Sequence, residues 1–86
     1  MLEKYIEKKC CDIAKKLGYQ QRKMKYIGKN GCPDRLFFKA GHFFFVEFKK
    51  ENGKLSDIQK KEIEALIQSC EVYVINNVDD FINILK

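Results

Sequence analysis

Two carboxylates and a lysine flank an apolar segment in the middle of the chain. Asp34 precedes this segment, and Glu47 and Lys49 lie at its end. Ala40-Gly41 divides the segment into two apolar halves, which predicts a β-hairpin. If Lys39 pairs with His42 at the turn, Asp34 lies opposite Glu47. Their Cβ atoms are then expected about 4.5–5.5 Å apart.

Lys49 shares this face of the hairpin, because side chains alternate between the faces of a strand. Facing like charges destabilise a sheet, so Asp34 and Glu47 are expected to need a bound cation. Hard cations such as magnesium bind carboxylate and carbonyl oxygens, and they usually have water molecules and substrate phosphates as further ligands. The alternative is that Asp34 ends a turn after Pro33 while Glu47 and Lys49 form a local ion pair. The three residues together, in register, favour the cation site.

Apolar periodicity predicts an α/β chain in the order helix, three strands, helix, strand, helix. The first helix spans residues 2–17, and Gly18 follows its end. Its buried stripe is predicted to contain Leu2, Ile6, Cys10, Ile13 and Leu17. Residues 20–27 form a weak strand before the hairpin. Ser56 and Gln59 fit a capping box that opens a helix ending near Ser69. Residues 71–75 and 78–85 form the last strand and the last helix.

Both faces of the hairpin are apolar, which predicts helices on both sides of the sheet. The last strand is expected to join the second hairpin strand in parallel by a right-handed crossover. The carboxylate face has its charged residues at one end, and burial there is unfavourable without a partner. Its apolar members are Leu36, Phe38, Phe43 and Phe45, and those of the opposite face are Phe37, Phe44, Val46 and Phe48.

Length and composition predict one domain over residues 1–86, with enough apolar residues (45%) for a core. No apolar run is long enough to span a membrane, and the first residues lack the apolar region of a signal peptide. A cytoplasmic protein is therefore expected. His42 is expected to be a polar turn residue. Without a C-x-x-C pair, we expect reduced and mostly buried thiols at Cys10, Cys11, Cys32 and Cys70.

The net charge of +5 is concentrated near the start of the chain. Residues 1–30 contain nine Lys or Arg and three acids, whereas residues 31–86 contain eight Lys or Arg and nine acids. Such asymmetry indicates an anionic partner, most simply nucleic acid. We expect Lys23, Lys25 and Lys29 to contact a phosphate backbone. The alternatives are an ordinary solvated lysine-rich surface and protection of an edge strand.

Three segments, in this order and spacing, resemble the PD-(D/E)XK nuclease superfamily and, within it, the VRR-NUC family of virus-type replication–repair nucleases. They are Gly31-Cys32-Pro33-Asp34, Glu47-Phe48-Lys49 and Ser56-Asp57-Ile58-Gln59. The resemblance covers nearly the whole chain. It implies a restriction-endonuclease-like core, with a mixed four-stranded sheet flanked by helices in the order α-β-β-β-α-β-α.

The resemblance also implies hydrolysis of DNA phosphodiesters with magnesium or manganese. Asp34, Glu47 and the backbone carbonyl of Phe48 would hold the metal. An acid on the first helix would complete the site, with Glu3 favoured and Glu7 as its rival on nearly the same face. Two further roles are implied: Lys49 would orient or activate the attacking water, and Gln59 would support the site.

Small proteins of this family resemble dimeric enzymes that cut branched DNA. The resemblance therefore implies a homodimer acting on structures like Holliday junctions in replication, repair or recombination. Two other functions remain open: a non-catalytic nucleic-acid-binding module that uses the basic N-terminal half, and a small interaction subunit. The intact set of Asp34, Glu47 and Lys49 favours the enzyme, because a pure binder has no need of it.

Overall fold

The computed structural model describes residues 2–85, and its elements have the predicted order and α/β class. The helices are α1 (Glu3–Lys16), α2 (Asp57–Leu66) and α3 (Val78–Ile84). The strands are β1 (Gln20–Lys23), β2 (Arg35–Lys39), β3 (His42–Phe48) and β4 (Glu71–Ile75). Among these helices, none combines the length and apolar character needed to cross a membrane.

The four strands form one mixed sheet in the order β1-β2-β3-β4. β2 is antiparallel to both β1 and β3, while β4 is parallel to β3. The predicted hairpin register is confirmed, with Lys39 paired to His42. Ala40 and Gly41 both have positive φ, 43° and 88°, as a two-residue turn between antiparallel strands requires.

The hairpin ladder ends at Arg35 and Val46, one pair short of the predicted pair of Asp34 and Glu47. β2 therefore begins at Arg35. Pro33 cannot donate a ladder hydrogen bond, and the carbonyl of Asp34 accepts from the backbone N–H of Met24. β1 is also shorter than the predicted strand of residues 20–27, since it ends at Lys23.

α1 and α3 cover the face opposite the carboxylate face and enclose the core there. Ring stacking fills this core, with Phe37 and Phe44 centroids 5.5 Å apart and Phe81 5.2 Å from Phe37. The predicted stripe of α1 is wrong at both ends. Leu2 and Leu17 are the cap residues of the helix and stay about half exposed. The buried residues of α1 are Ile6, Cys10, Cys11 and Ala14.

The carboxylate face is covered incompletely, contrary to the prediction of a sheet buried on both sides. α2 lies on this side but packs mainly beside β4 and has no fully buried residue. Phe43 on the hairpin and Ile67 after α2 consequently remain half exposed. One helix of ten residues is too short to cover the whole face, so part of it is open to solvent.

The cysteines and the histidine have no metal-binding arrangement within the described residues. All four thiols are free, with Cys10 and Cys11 buried and the other two half-buried. Burial raises the pKa of the Cys10 thiol to about 12. His42 lies beside the turn, where its Nδ1 is 3.1 Å from the hydroxyl of Tyr19.

Candidate active site

Glu47 is the centre of the charged cluster on the carboxylate face. Its side chain lies near the end of β3, and the residue is only 4% exposed. Gln59 donates a hydrogen bond from Nε2 to Glu47 Oε2 at 3.1 Å. Lys49 Nζ lies 3.5 Å from the same oxygen. The structure therefore brings three predicted site residues together around one carboxylate oxygen.

Asp34 is held against the end of β3 by a bond from its side chain. The backbone N–H of Phe48 donates to Asp34 Oδ2 at 2.8 Å. This contact continues the link between the two hairpin strands where the backbone ladder has ended. The Phe48 ring is buried in the core on the other side. Only the backbone of Phe48 is therefore available to the cluster, as its predicted role requires.

The electrostatic surroundings of Glu47 favour its neutral form. Burial contributes most, and together with Asp34 it raises the pKa of Glu47 from 4.5 to about 7. Glu3 raises this pKa further, whereas Lys49 lowers it. A carboxylate that remains difficult to ionise beside two other acids is a position where added positive charge is stabilising.

Gln59 serves the helix and the cluster at the same time. Its Oε1 accepts from the backbone N–H of Ser56 at 2.9 Å, and its own backbone N–H donates to Ser56 Oγ at 3.2 Å. These two bonds form the predicted capping box. Because the amide oxygen serves the cap, the amide nitrogen is free to bind Glu47. The start of α2 is thus tied directly to the buried acid.

The two candidate acids of α1 have different surroundings. Glu7 Oε2 accepts from Arg35 Nε at 2.7 Å and from Lys23 Nζ at 3.1 Å. Burial alone would raise the pKa of Glu7, but these two hydrogen bonds lower it below its ordinary value. Glu3 is exposed and acts on the charge of Glu47. Glu3 therefore interacts electrostatically with Glu47, whereas Glu7 belongs to an ion-pair network with Arg35 and Lys23.

Asp34 and Glu47 have the donor chemistry of a magnesium site. The described residues contain no group of three His, Cys, Asp or Glu side chains that could hold a metal by themselves. Magnesium, however, is usually bound by one or two carboxylates together with waters and substrate phosphates. Two neighbouring carboxylates, one of them buried beside other acids, fit magnesium or manganese on this basis.

The three lysines predicted to bind nucleic acid lie along β1 and the loop that follows it. Lys23 pairs with Glu7, and Lys29 Nζ lies 3.8 Å from Glu62 Oε1. Both side chains are still more than 60% exposed. Lys25 is exposed and forms no ion pair within residues 2–85. All three amines are therefore accessible to solvent from this side of the molecule.

Sequence reasoning missed the pairing of Arg35 with Glu7 and that of Tyr26 with Glu62. Tyr26 donates its hydroxyl to Glu62 Oε2, 36 positions away in the sequence. No local pattern identifies such a partner, since the contact depends on where α2 lies relative to the loop. The only available signal was compositional, namely a tyrosine between lysines in a glycine-containing segment.

Comparisons with known proteins identify the family of this chain. A family model described as the VRR-NUC domain matches residues 7–79, a range that includes Asp34, Glu47, Lys49 and Gln59. A solved structure described as a VRR_NUC domain is similar, with a TM-score of 0.85 and 30% identity over 94% of this chain and 90% of that one. The comparison with curated proteins finds no match. The chain belongs to the VRR-NUC family of nuclease domains.

Proposed function

We propose that this chain is an endonuclease that hydrolyses DNA phosphodiester bonds with magnesium or manganese. The observation that carries the proposal is the buried Glu47, held by Gln59 and Lys49 beside Asp34. A module that only bound nucleic acid would gain nothing from burying one acid next to another. Membership of a nuclease family supports the same reading.

In this proposal Asp34, Glu47 and the Phe48 carbonyl would hold the metal, and Glu3 would complete the site. A bound divalent cation lowers the pKa of its water and polarises the phosphoryl oxygen. Lys49 places its ammonium group beside the site, where it can orient the attacking water and stabilise developing negative charge. Gln59 fixes the orientation of Glu47, and the Phe48 N–H fixes that of Asp34.

We further propose a branched DNA substrate, such as a Holliday junction in replication, repair or recombination. The basic first part of the chain and the exposed amines of Lys23, Lys25 and Lys29 support binding to a phosphate backbone. Action in the cytoplasm of a bacterium or a phage-infected host belongs to the same proposal. The free thiols at all four cysteines are consistent with a reducing compartment.

A homodimer would present two sites to one junction. Two half-exposed apolar side chains, Phe43 and Ile67, line the same groove near the hairpin turn and support contact with a second copy. Sedimentation should show a dimer that the double change of Phe43→Ser and Ile67→Ser converts to a monomer. Ile82→Ser on α3 is the matched control, since Ile82 is also about half exposed. A monomeric wild-type chain would contradict the proposed dimer.

The nuclease proposal is tested with purified protein and three DNA forms: plasmid, linear duplex and four-way junction. We expect cleavage of the junction with magnesium or manganese and none with EDTA. Lys49→Ala should lose cleavage by about a hundredfold or more while still binding manganese. Asp34→Ala should lose both cleavage and manganese binding. If DNA is bound but no form is cut with either metal, the chain is a binding module instead.

A further inference from the structure

The loop of residues 24–33 is clamped to α2 on both sides of its tip. Tyr26 donates its hydroxyl to Glu62 Oε2 at 2.5 Å, and Lys29 Nζ lies 3.8 Å from the other oxygen of Glu62. The Glu62 side chain is only 11% exposed. One carboxylate therefore holds both ends of the four-residue segment whose tip is Ile27-Gly28.

A close backbone approach fixes the returning arm of the loop. A Cβ atom at Gly31 would lie 3.1 Å from the carbonyl oxygen of Ile58 and 3.1 Å from the Glu62 side chain. Gly31 also has a φ of +95°, which glycine adopts most readily. The loop thus contacts α2 at three points on either side of its tip.

Ile27 projects from this tip and is 99% exposed. Single exposed apolar residues are common on protein surfaces and need no function. Ile27 differs because its loop is clamped and because Lys25 and Lys29 flank it. Because Ile27 is not buried, its side chain does not stabilise the fold, and the fold does not explain why this residue is apolar.

The tip also lies close to the candidate active site along α2. Glu62 follows Gln59 by three residues, so their side chains lie on the same helix face, about 5–6 Å apart at Cβ. Gln59 binds Glu47, whereas Glu62 binds the loop. One turn of α2 therefore links the buried acid to the loop that presents Ile27.

We propose that Ile27 is an apolar wedge that contacts the bases of distorted DNA. This inference rests on the proposed nuclease function and adds a residue that determines substrate structure. Proteins that kink DNA insert apolar side chains between stacked base pairs, and additional contacts with the DNA offset the free energy of unstacking. A branch point interrupts the continuous stacking of a duplex, so an inserted side chain unstacks fewer bases there and the wedge favours branched DNA over a regular duplex. Lys25 contacts the adjacent phosphates.

The test compares wild type with Ile27→Ala and Ile27→Phe on a four-way junction and on a linear duplex of matched sequence. Cleavage in magnesium gives kcat and KM. We expect Ile27→Ala to raise KM for the junction about tenfold, with kcat changed less than about twofold. Ile27→Phe should keep the junction preference. With 2-aminopurine at the branch point, binding of the wild type in EDTA should increase fluorescence more than binding of Ile27→Ala.

Each alternative outcome has a distinct meaning. If wild type cuts DNA and Ile27→Ala has unchanged KM values, or equal losses on junction and duplex, the wedge is excluded and the nuclease function stands. If wild type cuts no DNA with either metal, both proposals fail. A dimer that dissociates on Ile27→Ala would place the tip against a second copy and would overturn the wedge. Ile82→Ala, a half-exposed isoleucine on α3, should behave as wild type.

Discussion

Glu7 and Glu47 are two poorly exposed carboxylates on opposite faces of the sheet, and the charges around them differ in sign. Glu7 has a guanidinium and an ammonium group within 3.1 Å, and its pKa is lowered. Glu47 has a single lysine at 3.5 Å, with Asp34 and Glu3 as acidic neighbours, and its pKa is raised to about 7.

This difference in surrounding charge separates Glu7, which is balanced by cations of the fold, from Glu47, the acid proposed for the site. The Glu7 network is neutralised by groups of this chain and links α1 to β1 and β2. Around Glu47 the acids outnumber the cations, so folding leaves negative charge that an external cation can balance. A carboxylate pKa that is raised by burial and by neighbouring acids is typical of functional sites.

The largest expected effect is on cleavage. Glu47→Gln keeps the shape of the side chain but removes the charge that would hold the metal. We expect the cleavage rate to fall at least about a hundredfold. Glu7→Gln is the matched control and should change the rate of the folded protein less than about threefold. Initial rates on junction DNA in magnesium measure both, and similar losses for the two variants would remove the distinction between the acids.

The next effect concerns the pH dependence of stability without metal. Because the pKa of Glu47 is higher in the folded state, about 7, than its ordinary value of 4.5, the folded protein binds more protons between these values. The contribution of Glu47 to the free energy of unfolding should therefore fall as pH rises from about 4.5 to 7, by on the order of 1–3 kcal/mol. Urea unfolding in EDTA measures it. Glu47→Gln should lack this component, and parallel curves for the two proteins would contradict the assignment.

The Glu7 network predicts a change of opposite sign. Glu7→Gln should lower the free energy of unfolding at pH 7 by about 1–3 kcal/mol, because it leaves the partly buried Arg35 without its carboxylate. Since the folded pKa of Glu7 is lowered, its contribution is present above the ordinary value and is lost as pH falls through the folded pKa. Urea unfolding at pH 7 and pH 3 would show it, and an unchanged stability at pH 7 would exclude a structural role.

The smallest expected effect distinguishes the two acids of α1. Glu3→Gln should lower cleavage about tenfold, the lower end of the roughly 10- to 100-fold losses typical when a group that supports a metal site is removed. It should leave the free energy of unfolding nearly unchanged, because Glu3 is exposed. Rates and urea curves measured together give the answer. Negligible effects of both Glu3→Gln and Glu7→Gln on cleavage would remove α1 from the site.

Local patterns predicted the features that local chemistry determines. The turn at Ala40-Gly41 set the hairpin register, and the Ser56 and Gln59 pair set the start of α2. The predicted end of the hairpin was wrong, because Asp34 binds the end of β3 through its side-chain carboxylate and not through a backbone pair. The alternation of apolar residues carries no information about that difference.

Contacts between distant segments could not be predicted in this way. Arg35 and Glu7 are 28 positions apart, and either acid of α1 had a suitable pattern for the site. Their contact depends on how α1 packs across the sheet. The incomplete cover of the carboxylate face has the same origin, since apolar alternation in the hairpin is the same whether α2 lies over the strands or beside β4.

The side-chain amide of Gln59 takes part in both the N-terminal cap of α2 and the hydrogen bond to Glu47, so fraying of this helix affects the candidate site. If the first turn of α2 opens, the chain loses its cap and Glu47 loses its amide donor in the same event. By linkage, any cation that fixes Glu47 in the hydrogen-bonded position protects that turn. Slower hydrogen exchange of the backbone amide of Gln59 should therefore report binding of a cation at Glu47. This measurement is useful because the chain contains no tryptophan whose fluorescence could report the binding.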